Sequence, residues 1–96
     1  MTNKKTPTST NRRVDLQITA VPGSQVYVAG TFNNWAVDAQ PMKDKGGTGR
    51  YTVRLTLAPG VHEYKFVVNG EWHVDPSCTN WVQNSFGTLN SVLEVR

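Results

Sequence analysis

The stretch HEYKFVVNGEWHVDP, His62 to Pro76, decides the fold. Two runs rich in aromatic and β-branched residues flank Asn69-Gly70. That dipeptide is the strongest short hairpin signal, because both central residues of a type I′ turn need φ > 0. A two-residue turn predicts that Val68 pairs with Glu71, Val67 with Trp72, Phe66 with His73 and Lys65 with Val74. Paired residues share a face and successive residues alternate. Tyr64, Phe66 and Val68 then form a core stripe, with Glu71 on the core side at the hairpin end. Lys65, Val67, Trp72 and Val74 share the opposite face, where Lys65 and Trp72 become diagonal neighbours with backbones about 7–8 Å apart. A cation beside an exposed indole is an unusual finish for a solvent surface, and it marks a candidate binding site.

The segments on either side read as further short strands. Val14, Leu16, Ile18 and Ala20 alternate with polar residues up to Pro22-Gly23, which predicts a half-buried strand. Gln25 to Ala29 predicts a second strand, and Gly30 opens the loop TFNNWAVDAQP, in which Phe32 is expected to be buried and Asn33 to shape the loop. Tyr51, Val53, Leu55 and Leu57 alternate on a third strand, bounded by the turn at Lys45–Gly49 and by Pro59-Gly60. After Asp75-Pro76 a long loop, SCTNWVQNSFGT, leads to a last strand, Leu89 to Val95, with Leu93 and Val95 inward and Asn90, Val92 and Glu94 outward. No segment of helical period and no repeat is present. Short strands with a turn signal every 8–12 residues or so predict an all-β, immunoglobulin-like sandwich.

A chain of 96 residues suffices for one small domain. Residues 1–13 carry almost no apolar side chains, so they are expected to form a flexible basic leader, with the β-sandwich domain over 14–96. The net charge of +3 comes from that leader. From Val14 onward six basic residues oppose seven acidic ones, so nucleic acid is not an expected partner. The lone Cys78 cannot form an internal disulfide, and with no signal-peptide h-region or membrane-length apolar run the expected location is cytoplasmic, with no membrane partner. His62 and His73 are expected to make structural hydrogen bonds. Their spacing fits no metal site, and no cofactor motif appears.

The motifs GTFNNW at 30–35, PGVHEYKFVVNGEWHVDP at 59–76 and FGTLNSVLEV at 86–95 stand in this order. With them the chain resembles a family 48 carbohydrate-binding module of the isoamylase early-set type, similar to the glycogen-binding domain of the AMP-activated protein kinase β subunit. The spacing from Asp75-Pro76 to Phe86-Gly87 is closer to branching-enzyme N-terminal domains, and Thr88-Leu89 to the kinase subunit. The resemblance implies an early-set, immunoglobulin-like sandwich that binds glycogen or another α-glucan, acting alone or tethering a separate glucan-active enzyme or regulator to the polymer. It further implies that Trp35 and Trp72 stack on glucose rings, that Lys65 and Asn90 hydrogen-bond sugar hydroxyls, and that Thr88 makes a further polar contact. Phe86 takes the place of a leucine that packs into the helical turn of the glucan.

The residue chemistry is consistent with those roles. A glucose ring offers an apolar C–H face that suits the negative face of an indole, and a rim of hydroxyls that suits Lys, Asn or Thr. Trp35 has a core reading, since immunoglobulin domains often bury a tryptophan, but its loop position after Asn33-Asn34 favours exposure. Lys65 is read as a water-facing donor. Trp81 either packs the long loop or extends the sugar platform. Phe86 points either inward as a plug or outward to the ligand, and the outward reading is adopted. Glycoside hydrolysis needs two carboxylates across a bound sugar, whereas Asp38, Asp44, Glu71 and Asp75 sit at turns or strand ends with no second domain to make a cleft. The expectation is a non-catalytic α-glucan module. The alternative is a structural or protein-interaction early-set domain without sugar affinity.

Overall fold

The computed structural model describes residues 11–96. Asn69 (φ 50°) and Gly70 (φ 84°) both adopt left-handed backbone, as a type I′ turn requires. Asn69 also ties the turn to the preceding strand connection: its Oδ1 accepts from the Gln25 backbone N–H at 2.9 Å and its Nδ2 donates to Ser24 Oγ at 3.2 Å. The turn fixes the register Val68↔Glu71, Val67↔Trp72 and Phe66↔His73, as the sequence predicts. The ladder stops there, so Lys65 and Val74 do not form a strand pair.

The described residues form seven strands: β1 (Arg12–Thr19), β2 (Val26–Gly30), β3 (Arg50–Leu57), β4 (Gly60–Val68), β5 (Glu71–His73), β6 (Trp81–Gln83) and β7 (Leu89–Val95). Strand β1 pairs antiparallel with β3, and a second antiparallel sheet runs β2-β4-β7-β6 with β5 also beside β4. The two sheets make an all-β sandwich. Its core is filled by Leu16 and Ile18 from β1, Val26 and Val28 from β2, Tyr51, Leu55 and Leu57 from β3, Tyr64 and Phe66 from β4, and Val95 from β7. Met42 joins them because residues 40–43 cross between the sheets, with bridges from Tyr27 to Pro41 and from Lys43 to Thr52.

Several expectations need correction. Strand β1 starts at Arg12, with Arg12 opposite Leu57 and Arg13 opposite Thr56, so the polar end of the strand is carried by pairing to β3 and the leader cannot extend to residue 13. The remainder of that leader, residues 1–10, lies outside the described residues. The long loop after Pro76 contains β6, a three-residue strand too short to show a period. Glu71 is exposed rather than on the core side. Phe32 is half-buried against the core rather than fully buried, with its ring 6.3 Å from that of His62. His62 makes the expected structural bond, Nε2 to the Ala58 carbonyl at 2.8 Å, whereas His73 Nε2 lies 3.8 Å from Glu71 Oε1 on the surface and makes no such bond.

Most of the strands are positioned by β4. One edge pairs with β2, from Tyr64 to Val68. The other pairs with β7 from Gly60 to Tyr64 and then with β5 from Phe66 to Val68. Where β7 and β5 part company, the core side is sealed by polar groups: the Tyr64 hydroxyl donates to Asp75 Oδ2 at 2.6 Å, and the Asp75 backbone N–H donates to Ser91 Oγ at 3.1 Å. Burial first, and then the bond to the Asp75 carboxylate, push the Tyr64 hydroxyl far above its ordinary pKa, so it stays a donor. Asp75, a free strand-end carboxylate by sequence, is a buried structural acceptor.

Gly30 couples this scaffold to the loop that follows. A Cβ there would lie 2.4 Å from the Glu63 carbonyl oxygen and 2.6 Å from the Phe32 ring. Gly30→Ala is therefore expected to cost about 1–3 kcal/mol by overpacking, read as a lower melting temperature, and to shift the loop that carries Trp35.

Candidate functional site

The loop from Gly30 is held by Asn33, which accepts from the Gly30 N–H at 3.0 Å and donates to the Val28 carbonyl at 3.1 Å. After one 3-10 turn, Asn34 (φ 56°) and Trp35 (φ 58°) both take left-handed backbone. For a residue as bulky as tryptophan this conformation is strained by roughly 1–2 kcal/mol, and it turns the indole toward Trp72. The two rings stand 6.4 Å apart, tilted by 59°, so they form a V. Trp35 is half-buried and Trp72 is 47% exposed; neither belongs to the core.

Opposite the indoles is the turn Asn84–Gly87, closed by the Gly87 N–H to the Asn84 carbonyl at 3.1 Å. Asn84 organises it. Its Oδ1 accepts from the backbone N–H groups of Phe86 (3.0 Å) and Thr88 (3.1 Å), and its Nδ2 donates to Thr88 Oγ1 (2.7 Å) and Asn90 Oδ1 (2.9 Å). Phe86 at the tip is 88% exposed. Of its two destinations, the structure shows the outward one.

Between these rims is a hollow of about 670 Å³, lined by Trp35, Glu63, Lys65, Trp72, Asn84, Ser85, Phe86, Thr88 and Asn90. All six residues singled out by sequence line it: Trp35, Lys65, Trp72, Phe86, Thr88 and Asn90. Three others, Glu63, Asn84 and Ser85, were missed. Glu63 was legible, since it shares the face of Lys65 two positions along β4. Asn84 was legible only as a turn-forming asparagine ahead of Gly87.

The floor of the hollow is polar and already paired. Lys65 is only 9% exposed, and its Nζ donates to Thr88 Oγ1 at 3.0 Å. This corrects the reading of Lys65 as a water-facing donor. Asn90 is likewise buried rather than a surface edge residue, with its Nδ2 donating to Glu63 Oε1 at 2.9 Å. Thr88 Oγ1 accepts from both Lys65 and Asn84, which uses its two acceptor positions and leaves its hydroxyl hydrogen as a donor. Lys65 keeps two further N–H groups and Asn90 one. The hollow thus combines an apolar, angled rim with a few fixed donors at its base.

Trp81 lies outside this arrangement. It is 54% exposed on the edge strand β6, opposite Ser91, and is not among the residues that line the hollow. Among the described residues no group of three or more His, Cys, Asp or Glu side chains is arranged to hold a metal ion, and no helix is long and apolar enough to cross a membrane.

Residues 14–96 match the family model described as the glycogen recognition site of AMP-activated protein kinase. The chain is 35% identical over 74 residues to the 5′-AMP-activated protein kinase subunit beta-1 of Sus scrofa, a match covering 77% of this chain and 57% of that protein. The identity is the same, 35%, to the beta-2 subunit of Homo sapiens, covering 77% of this chain and 26% of the relative. The chain therefore spans between about a quarter and somewhat over half of these relatives.

Three substitutions test the architecture of the hollow by calorimetry. Phe86→Ala should change stability by less than about 0.5 kcal/mol, as for any exposed side chain with no structural bond. Lys65→Ala should destabilise by about 1–3 kcal/mol, because it removes a buried side chain and a charge-assisted bond. Lys65→Met should recover part of that loss by restoring the stem.

Proposed function

The chain belongs to the family of the glycogen recognition site of AMP-activated protein kinase, and from that premise we propose that it binds α-1,4-linked glucans, glycogen or starch-like oligosaccharides, through stacked tryptophans backed by polar donors. Members of this family are non-catalytic domains, and the chain is one of them. The observation that carries the reading is the pair of indoles 6.4 Å apart and tilted by 59° above a polar floor. An α-1,4-glucan is helical, so successive glucose rings turn relative to one another and two angled aromatic faces meet two consecutive rings. Phe86 on the far rim supplies an apolar contact for the inside of the helical turn. Hydroxyls at the ring edges reach the remaining donors of Lys65, Thr88 and Asn90.

The same reading makes the chain a family 48 module of the early-set type, related in its Asp75-Pro76 to Phe86-Gly87 spacing to branching-enzyme N-terminal domains. It acts in the cytoplasm and tethers a separate glucan-active enzyme or regulator to the polymer. Support for the tethering comes from the relatives, which are named as subunits of a kinase.

Titration calorimetry with maltoheptaose and β-cyclodextrin tests the proposal. Both should bind, and Trp72→Ala or Trp35→Ala should weaken binding about tenfold or more, since each stacked indole contributes on the order of 1–3 kcal/mol. Circular dichroism should show both variants folded. Absence of heat with either sugar would leave the interaction-domain reading in its place.

A further inference from the structure

The near-neutral body of this chain conceals a segregated charge distribution. Of its six basic residues from Val14 onward, four line a single groove of about 590 Å³ on the outer face of the β1–β3 sheet: Lys43, Lys45, Arg50 and Arg54. The register places them there. Arg50, Thr52 and Arg54 alternate with the core residues of β3, and Lys43 bridges Thr52 from the neighbouring segment. Arg13 adds a fifth cation, since it shares the outer face of β1 with Asp15 and Gln17. Asp15 is the one carboxylate among the groove's lining residues. Asp44 is turned away into its own turn, where it accepts from the backbone N–H groups of Thr48 and Gly49.

The guanidinium groups are also pre-set. Arg50 is held by Gln17 Oε1 through Nε at 3.0 Å and Nη2 at 2.7 Å. The partner is a neutral amide, so the full charge of Arg50 remains. Arg54 is held by Asp15 at 2.9 Å, an exposed pair that adds little to stability. Among the described residues Lys43 and Lys45 have no ion-pair partner.

We propose that this groove is a second docking surface, separate from the hollow on the other sheet, and that it takes an extended acidic segment of a partner protein. Arg50 and Arg54 point outward from β3 on either side of Thr52, and the bridge to Thr52 sets Lys43 beside the position between them, so positive charge recurs at about the 7 Å two-residue interval of a strand. An extended peptide with an acidic residue at every second position presents its carboxylates at the same interval. None of the lining residues is aromatic, so the groove has no platform on which the bases of a single-stranded nucleic acid stack or sugar rings rest. Fixed guanidinium groups lower the ordering cost of binding, and the charge pattern steers an acidic partner.

The full chain is titrated by fluorescence anisotropy with a labelled Glu-Ser repeat peptide, a Gln-Ser repeat control, and a single-stranded DNA of the same charge. The Glu-Ser peptide is expected to bind with an affinity that falls as salt is raised, more tightly than the DNA, and the control not to bind. The double variant Lys43→Gln/Arg50→Gln should lose about fivefold or more in peptide affinity while retaining maltoheptaose affinity, which reports that the fold and the first site are intact. Lys45→Gln alone should show a smaller loss of the same kind. Equal binding of the control, tighter binding of the DNA, or unchanged peptide affinity in both variants would overturn the proposal, whatever the outcome with glucans.

Discussion

The change of partner along one edge of β4 is the constraint on which the rest of the molecule depends. Through Tyr64 that edge is satisfied by β7, and from Phe66 it is satisfied by β5. A strand edge inside a sheet must find backbone partners along its whole length, yet the two neighbours cannot both occupy the crossover at Lys65. The split therefore forces two side-chain clusters, one on each face. Facing the core, Tyr64, Asp75 and Ser91 close the gap with short hydrogen bonds. Facing outward, Lys65 sits at the bottom of the opening, with Trp72 from β5 on one side and Thr88 and Asn90 from the start of β7 on the other.

This geometry explains why the outer cluster is polar below and aromatic above. Lys65, Asn84, Thr88, Asn90 and Glu63 form a continuous chain of hydrogen bonds. A buried cation and a buried amide left without partners would each cost several times what a satisfied bond returns, so the floor has to be paired in the free protein. Once it is paired, its remaining donors are few and fixed. Most of the surface available for a ligand to cover is then contributed by Trp35, Trp72 and Phe86, each fixed separately: Trp35 by the Asn33 bonds to Gly30 and Val28, Trp72 by the hairpin register, and Phe86 by the Asn84 turn.

Much of this could be read in the sequence, because its strongest signals are local. Asn69-Gly70 determined the register of β4 and β5, and parity then placed Trp72 and Lys65 on one face without knowledge of any neighbour. What parity cannot supply is depth. Lys65 and Val67 point away from the core and are still buried, and the bond that holds Lys65 in the floor comes from Thr88, 23 positions further along the chain. Glu71 shows the reverse: it has core parity, as the partner of Val68, and is exposed. Strand β6 was illegible for a simpler reason, since three residues cannot display a period of two.

Net charge failed as a guide in the same way that parity failed for depth. Six basic and seven acidic residues in the body suggest a surface without electrical character, yet the sum says nothing about which face each residue occupies. Alternation on β3 sends Arg50 and Arg54 to the outside of one sheet, the bridge at Thr52 brings Lys43 between them, and the turn that follows consumes the carboxylate of Asp44. Most of the remaining acidic residues belong to the other sheet or its connections, where Glu63 and Asp75 serve as internal acceptors. A domain body of near-zero net charge can therefore present one cationic face and one hollow with an aromatic rim. Because the two lie on opposite sheets of the sandwich, a ligand in either leaves the other open.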